Sequence, residues 1–172
     1  MTMILHTQDR PRGERRIRII PTLLIDGKGR LVKSVKFRKR TYIGDPINAV
    51  RIFNEKQVDE LILLDIDASF ERREPNYDLI ADIVSEAFMP VAYGGGVSDT
   101  GHIAQLYQAG IEKVILSSAL QRGTELVSAA ARRYGAQAVT VCLPVGRKLW
   151  GGAKVRVCRG QVSIKGSPAS LA

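Results

Sequence analysis

The chain has 172 residues, 45% of them hydrophobic, enough to enclose the core of one domain. Its formal net charge of +9 is uneven: residues 1–40 hold 12 Lys and Arg against 3 Asp and Glu, residues 41–125 hold 6 against 14, and residues 126–172 hold 8 against none. No apolar run approaches the ~18 residues of a membrane span, Met1 to Arg16 is too polar for a secretory signal, and Cys142 and Cys158 lack C-x-x-C or metal-ligand spacing, which reads as reduced thiols in a cytoplasmic protein.

Residues 1–15 show no hydrophobic period, include Pro11 and Gly13, and are expected to form a flexible leader to a domain over residues 16–165. Arg16 to Ile25 reads as the first strand, nearly continuous in apolar character as parallel strands covered on both faces are. Asp26 to Arg30 makes a turn, Leu31 to Phe37 alternates like a short ribbon, and the loop it belongs to runs to about Gly44. Asp45-Pro46 opens a helix with a capping carboxylate and a proline at the first helical position, and Ile47, Val50, Ile52 and Phe53 supply its apolar face. Leu61 to Asp67 is the second strand, followed by a charge-rich loop and a helix from the cap Asn76 to Glu86.

Met89 to Val97 is an apolar run that ends in Gly94-Gly95-Gly96 and leads into a helix from Asp99 to Ala109. Consecutive glycines permit positive φ and close backbone approach, so their N–H groups, beside the positive end of the following helix, could hold an anion such as phosphate. A tight turn is the plainer reading, and the spacings of the dinucleotide and P-loop motifs are absent. Lys113 to Leu116 is a fourth strand with Ser117-Ser118 at its exit, Gln121 to Arg133 a fourth helix, and Gln137 to Leu143 a fifth strand. A hairpin is expected around Trp150 to Ala153, and Gly166 to Ala172 reads as a loose tail.

Four β-α units and one more strand imply a parallel sheet with right-handed crossovers, either open and doubly wound or part of a (β/α)₈ barrel. Both architectures place chemistry at the carboxyl ends of the strands. Those ends are Leu24 to Asp26, Asp65 to Ala68, Gly94 to Gly96, Ser117-Ser118 and Leu143-Pro144.

Arg18-Ile19-Ile20, Gly44-Asp45-Pro46, Asp59 to Ser69, Tyr93-Gly94-Gly95-Gly96-Val97 and Gly135 to Val139 match in order and spacing, and the chain from about Ile17 to Lys165 resembles the cyclase subunit of imidazole glycerol phosphate synthase. Gly44 to Lys56 is closer still to a cyclase-like amidotransferase branch linked to surface-polysaccharide sugars. The resemblance implies an α/β fold of the (β/α)₈ TIM-barrel family, here about a half-barrel of five parallel strands, four helices and a β-hairpin. It also implies ammonia supplied by a glutaminase partner, a phosphorylated ribonucleotide substrate and no cofactor or metal. By the same resemblance a phosphate site falls on Gly94, Gly95, Gly96, Ser117 and Ser118, and a charged rim at the ammonia entrance on Arg18, Glu60 and Lys113.

The departures are at the chemistry. The aspartates that serve that family as general acid and base align with Leu24 and Pro144. Neither can exchange a proton, and losing one such group costs ~10²- to 10⁴-fold. Asp26, Asp65 and Asp67 are the carboxylates left as catalytic candidates, although a turn residue is the plainer reading of Asp26. A barrel of this type takes about 250 residues, so a half-barrel is expected to expose an inward apolar face of residues such as Ile19, Leu63 and Val91 and to cover it by self-association, as a homodimer or a higher oligomer. The function expected is a truncated cyclase-like half-barrel that retains a phosphate site. An active ammonia-dependent subunit completed by dimerisation or by a glutaminase is the alternative. Nucleic-acid binding through Arg10 to Arg18, Lys36 to Arg40 and Arg147 to Arg159 lacks aromatic interleaving or a motif.

Overall fold

The computed structural model describes residues 17–35, 39–147, 153–157 and 162–163. The expected leader and tail, the hairpin tip at Trp150, Cys158, Phe37 and most of the terminal basic runs lie outside them. Five parallel strands run from the middle of a seven-stranded sheet to one edge: β1 (Thr22–Ile25), β4 (Leu61–Asp65), β5 (Val91–Gly94), β6 (Lys113–Leu116) and β7 (Val139–Val141). A hairpin of β2 (Leu31–Val35) and β3 (Lys39–Gly44) extends it antiparallel beyond β1, giving the order β3-β2-β1-β4-β5-β6-β7. The expected ribbon is therefore a full two-stranded hairpin, its second strand occupying what reads as loop in the sequence. A separate three-stranded sheet holds β8 (Val145–Arg147), β9 (Ala153–Val157) and β10 (Val162–Ser163); β8 and β9 are the expected hairpin, and β10 has no counterpart in the expectation.

Helix α1 (Pro46–Glu55) starts as its sequence dictates, with the Asp45 carboxylate accepting from the N–H groups of Ile47 and Asn48. Asn76 caps α3 (Tyr77–Glu86) through the Leu79 N–H. Asp99 caps α4 (Thr100–Gln108) through Gly101 and His102. A four-residue helix α2 (Ala68–Glu71) lies in the loop after β4, and a 3₁₀ turn over Ser118–Arg122 delays the last helix, α5 (Glu125–Tyr134), by four residues relative to expectation. The first strand is shorter than expected: residues 17–21 run alongside β4, with Ile19 and Pro21 carbonyls accepting from Asp59 and Ile62, but the ladder proper begins at Thr22.

The helices decide the architecture. Val50, Ile80, Ile83, Ile103, Leu106 and Ala130 share one buried cluster with Leu23, Leu63, Tyr93 and Val114, which stand in register across β1, β4, β5 and β6. Helices α1, α3, α4 and α5 thus cover one face of a singly wound sheet, as in a (β/α)₈ barrel; a doubly wound sheet would carry helices on both. The sheet is unclosed. Side chains alternate along a strand, so the row one residue on, Leu24, Leu64, Gly94, Ile115 and Thr140, faces away from the helices. This corrects the expected inward face: Leu63 and Val91 are in the helix-covered core, at 0% and 3% exposure, and Ile19 lies before the ladder at 64%.

Candidate functional site

At the carboxyl ends of the strands the face away from α1, α3, α4 and α5 opens into a cleft of about 460 Å³, which α2 borders through Ser69 and Phe70. Its walls are mostly apolar, with Leu24, Leu64, Phe70, Ile115 and Pro144 on them, and Gly94, Gly95, Gly96, Ser117 and Ser118 lie in the same lining. The five residues expected to form a phosphate site are therefore together, and so are Leu24 and Pro144, the two positions expected to stand where the resemblance implies an aspartate.

The glycine turn is a close-packed structure. Gly95 (φ +130°) and Gly96 (φ +70°) adopt backbone conformations that favour glycine. A Cβ on Gly95 would meet the Asp65 carbonyl, and one on Gly96 the Arg73 carbonyl. The Gly96 N–H donates to Ser69 Oγ at 3.1 Å, and the first free N–H groups of α4 go to Asp99. The positive end of that helix is thus matched by a carboxylate of its own, so an anion here would rely on the serine hydroxyls and the glycine backbone more than on the helix. Ser117 makes no capping bond to the turn that follows it. An adjoining recess of about 810 Å³ shares Ser69, Gly96 and Ser118 with the cleft and adds Arg72 and Arg122.

Each candidate carboxylate is held by an arginine. Asp26 Oδ1 accepts from the N–H groups of Lys28 and Arg30, and Oδ2 from the Arg30 guanidinium at 2.7 Å. Burial works to raise this carboxyl, but the Arg30 side chain and the two backbone donors outweigh it and hold it below the usual carboxylate range. That makes it a weaker base as well as a turn residue. Asp65 is buried, with Oδ1 accepting from the N–H groups of Asp67 and Ala68 and Oδ2 from Arg73 at 3.1 Å. Asp67, also buried, accepts from the Gly27 N–H at 2.9 Å and from both Nη atoms of Arg40, Nη1 at 2.6 Å. Of the three, Asp65 lines the cleft.

At the opposite, amino-terminal ends of the strands, Glu60 accepts from Arg18 Nη2 and from Lys113 Nζ, each at 2.7 Å. The three residues expected on one rim therefore form one cluster. Burial tends to raise the Glu60 carboxyl; the hydrogen bonds and charges of Lys113 and then Arg18 overcome it and leave it lowered.

Sequence reading passed over Arg40, Ser69 and Arg73. Arg40 looks like one more charge in the run Lys36 to Arg40, but β2 and β3 pair it with Ser34, and both reach the cleft. Strand alternation carried past Phe37 is the signal that finds it. Ser69 and Arg73 sit in and after α2, too short to show a period.

Residues 18–172 match the family model described as histidine biosynthesis protein. The chain belongs to that family. Among its relatives is a Pseudomonas aeruginosa protein named "Putative imidazole glycerol phosphate synthase subunit hisF2", 46% identical over 157 residues that cover 91% of this chain and 62% of the relative. A like-named subunit hisF3 of Vibrio vulnificus is 49% identical over 136 residues, 79% of this chain and 52% of its own length. The imidazole glycerol phosphate synthase subunit HisF of Helicobacter hepaticus is 38% identical over 128 residues, 74% and 51% respectively. This histidine biosynthesis family chain spans about half to three-fifths of the length of these relatives. Among its described residues no helix is long and apolar enough to cross a membrane.

Proposed function

We propose that this chain is a cyclase-like half-barrel that binds the phosphate of a phosphorylated ribonucleotide at the carboxyl ends of its strands and does not by itself run complete cyclase chemistry. The observation that carries this reading is the gathering of Gly94–Gly96, Ser117 and Ser118 in one cleft whose other walls include Leu24 and Pro144. Hydroxyls and backbone N–H groups can hold phosphate oxygens, while an apolar wall offers no group to move a proton. Asp65, the carboxylate on that wall, already accepts from two backbone N–H groups and a guanidinium. In this reading two copies associate in the cytoplasm through their open sheet faces.

Titration calorimetry with inorganic phosphate and with a phosphorylated ribonucleotide tests the reading. Binding is expected in the chain as it stands, weakened about tenfold or more in the Ser117→Ala/Ser118→Ala double variant, as loss of charge-assisted hydrogen bonds predicts. Unchanged affinity in the double variant would remove the site. The Arg18–Glu60–Lys113 cluster favours a second reading, an ammonia-dependent subunit that a glutaminase completes by docking on that rim. Turnover of the phosphorylated ribonucleotide with ammonia or with a glutaminase, lost in Asp65→Ala, would select it.

A further inference from the structure

Arg40 is a part of the cleft that the phosphate reading leaves unused. Among the described residues lining the cleft it is the single cation. Its guanidinium is fixed by Asp67, one hydrogen bond to each Nη, and Asp67 is itself fixed by the Gly27 N–H in the turn after β1. A guanidinium carries five N–H groups in a rigid plane. Asp67 takes two of them, which leaves the Nε–H and one hydrogen on each Nη. The side chain is 25% exposed, so the remaining donors are only partly solvated and interact more strongly than donors in open water.

An arginine whose only task is to strap the β2–β3 hairpin to β4 has no need to reach the cleft wall. Here it shares that wall with apolar side chains and with the Ser117 and Ser118 hydroxyls. We propose that Arg40, positioned by Asp67, is a specificity-determining residue of this cleft, and that its ligand is a phosphate monoester carrying a planar oxygen acceptor, a carboxylate above all, across an apolar stretch from the phosphate. This rests on the phosphate reading for the near end of the ligand and adds the far end. The pair with Asp67 orients the guanidinium plane in advance, so little side-chain freedom is lost when the acceptor arrives. The apolar residues between the two ends accept a ring or hydrocarbon spacer and give no partner to a second charge.

Two simple compounds separate the ends of the site: phenyl phosphate and 4-carboxyphenyl phosphate. In calorimetry with the full chain, the carboxylated compound is expected to bind about tenfold tighter, the scale of a charge-assisted hydrogen bond at a partly buried site. Arg40→Gln is expected to erase that ratio, and Arg40→Lys, which keeps the charge and loses the plane, to retain part of it. Equal binding of the two compounds by the unaltered chain, or a ratio that survives in Arg40→Gln, would overturn the assignment. Ser117→Ala/Ser118→Ala is expected to weaken both compounds alike; if it weakens neither while the Arg40 ratio holds, the phosphate reading fails and the Arg40 assignment stands. No binding of either compound by the unaltered chain overturns both. Should Arg40→Gln not fold, 4-(aminomethyl)phenyl phosphate on the unaltered chain decides: it is expected to bind several-fold more weakly than phenyl phosphate, and equal or tighter binding overturns the assignment.

Discussion

At Gly96 two demands coincide. Its φ of +70° lies in the left-handed region, and a Cβ there would run into the Arg73 carbonyl and stand 3.0 Å from the Ala68 Cβ. The first demand costs a non-glycine residue roughly 1–2 kcal/mol and the crowding adds about 1–3, because the obstacle is backbone and cannot rotate away. Gly96→Ala is therefore expected to lower stability by about 2–5 kcal/mol in urea unfolding, and a loss under about 0.5 kcal/mol would show that the turn relaxes freely. Much at this scale was readable beforehand. The three glycines, the two serines, Leu24 and Pro144 stand next to strand ends in the sequence, and they share one cleft. What the sequence withholds is who is already engaged: that Gly96 donates to Ser69, and that an arginine sits on each of Asp26, Asp65 and Asp67. Those partners come from 4 to 27 residues away and depend on the packed fold.

Elements with a local signal fell where they were expected. Asp45-Pro46, Asn76 and Asp99 mark the starts of α1, α3 and α4, and the apolar run Lys113–Leu116 is β6. Elements made by tertiary contacts did not: α2 begins where the Asp65 carboxylate gathers the N–H groups of Asp67 and Ala68, and the 3₁₀ turn after Ser117 precedes Gly123 at φ +117°. Glu60 ties elements together in another way. Through Arg18 and Lys113 it links the approach to β1 with β4 and β6. Its carboxyl is lowered in the folded chain, so folding favours the ionised form. The stability this contributes is complete above the ordinary glutamate value, near 4.5, and is lost as pH falls through the folded one. Glu60→Gln should cost on the order of 1–3 kcal/mol at pH 7, less than a fully buried pair because Arg18 keeps access to water. The gap in urea midpoint between Glu60→Gln and the unaltered chain should then narrow as pH falls from 5 toward 3; a gap independent of pH would show that the cluster does not hold the charge.

On the scale of the whole chain, the proposed association of two copies runs through the open face of the sheet. Its face away from α1, α3, α4 and α5 carries Leu24, Ile62 and Leu64, each half-buried, and among the described residues its parallel edge strand β7 has one neighbour, β6. On the other side β1 meets the β2–β3 hairpin through a single register pair, Ile25 with Leu31. Exposed edges of this kind recruit further strands, and a second copy offers a face of the same chemistry. The gain is limited, because Leu63 and Val91 are already under the helices. Completing the burial of a half-covered aliphatic side chain is worth roughly 1 kcal/mol. Six such side chains in a pair of chains give about 6 kcal/mol, most of which the loss of free rotation and translation removes, so even with pairing of the open strand edges added the association is weak, with a dissociation constant on the order of 0.1–1 mM. Sedimentation equilibrium across that range should show a reversible monomer–dimer mixture. Ile62→Lys places a charge in the middle of the face without touching the helix-covered core, and should shift the mixture to monomer while thermal unfolding of the monomer stays nearly unchanged. A strict monomer at several hundred micromolar, or a dimer indifferent to Ile62→Lys, would place any association elsewhere than on this face.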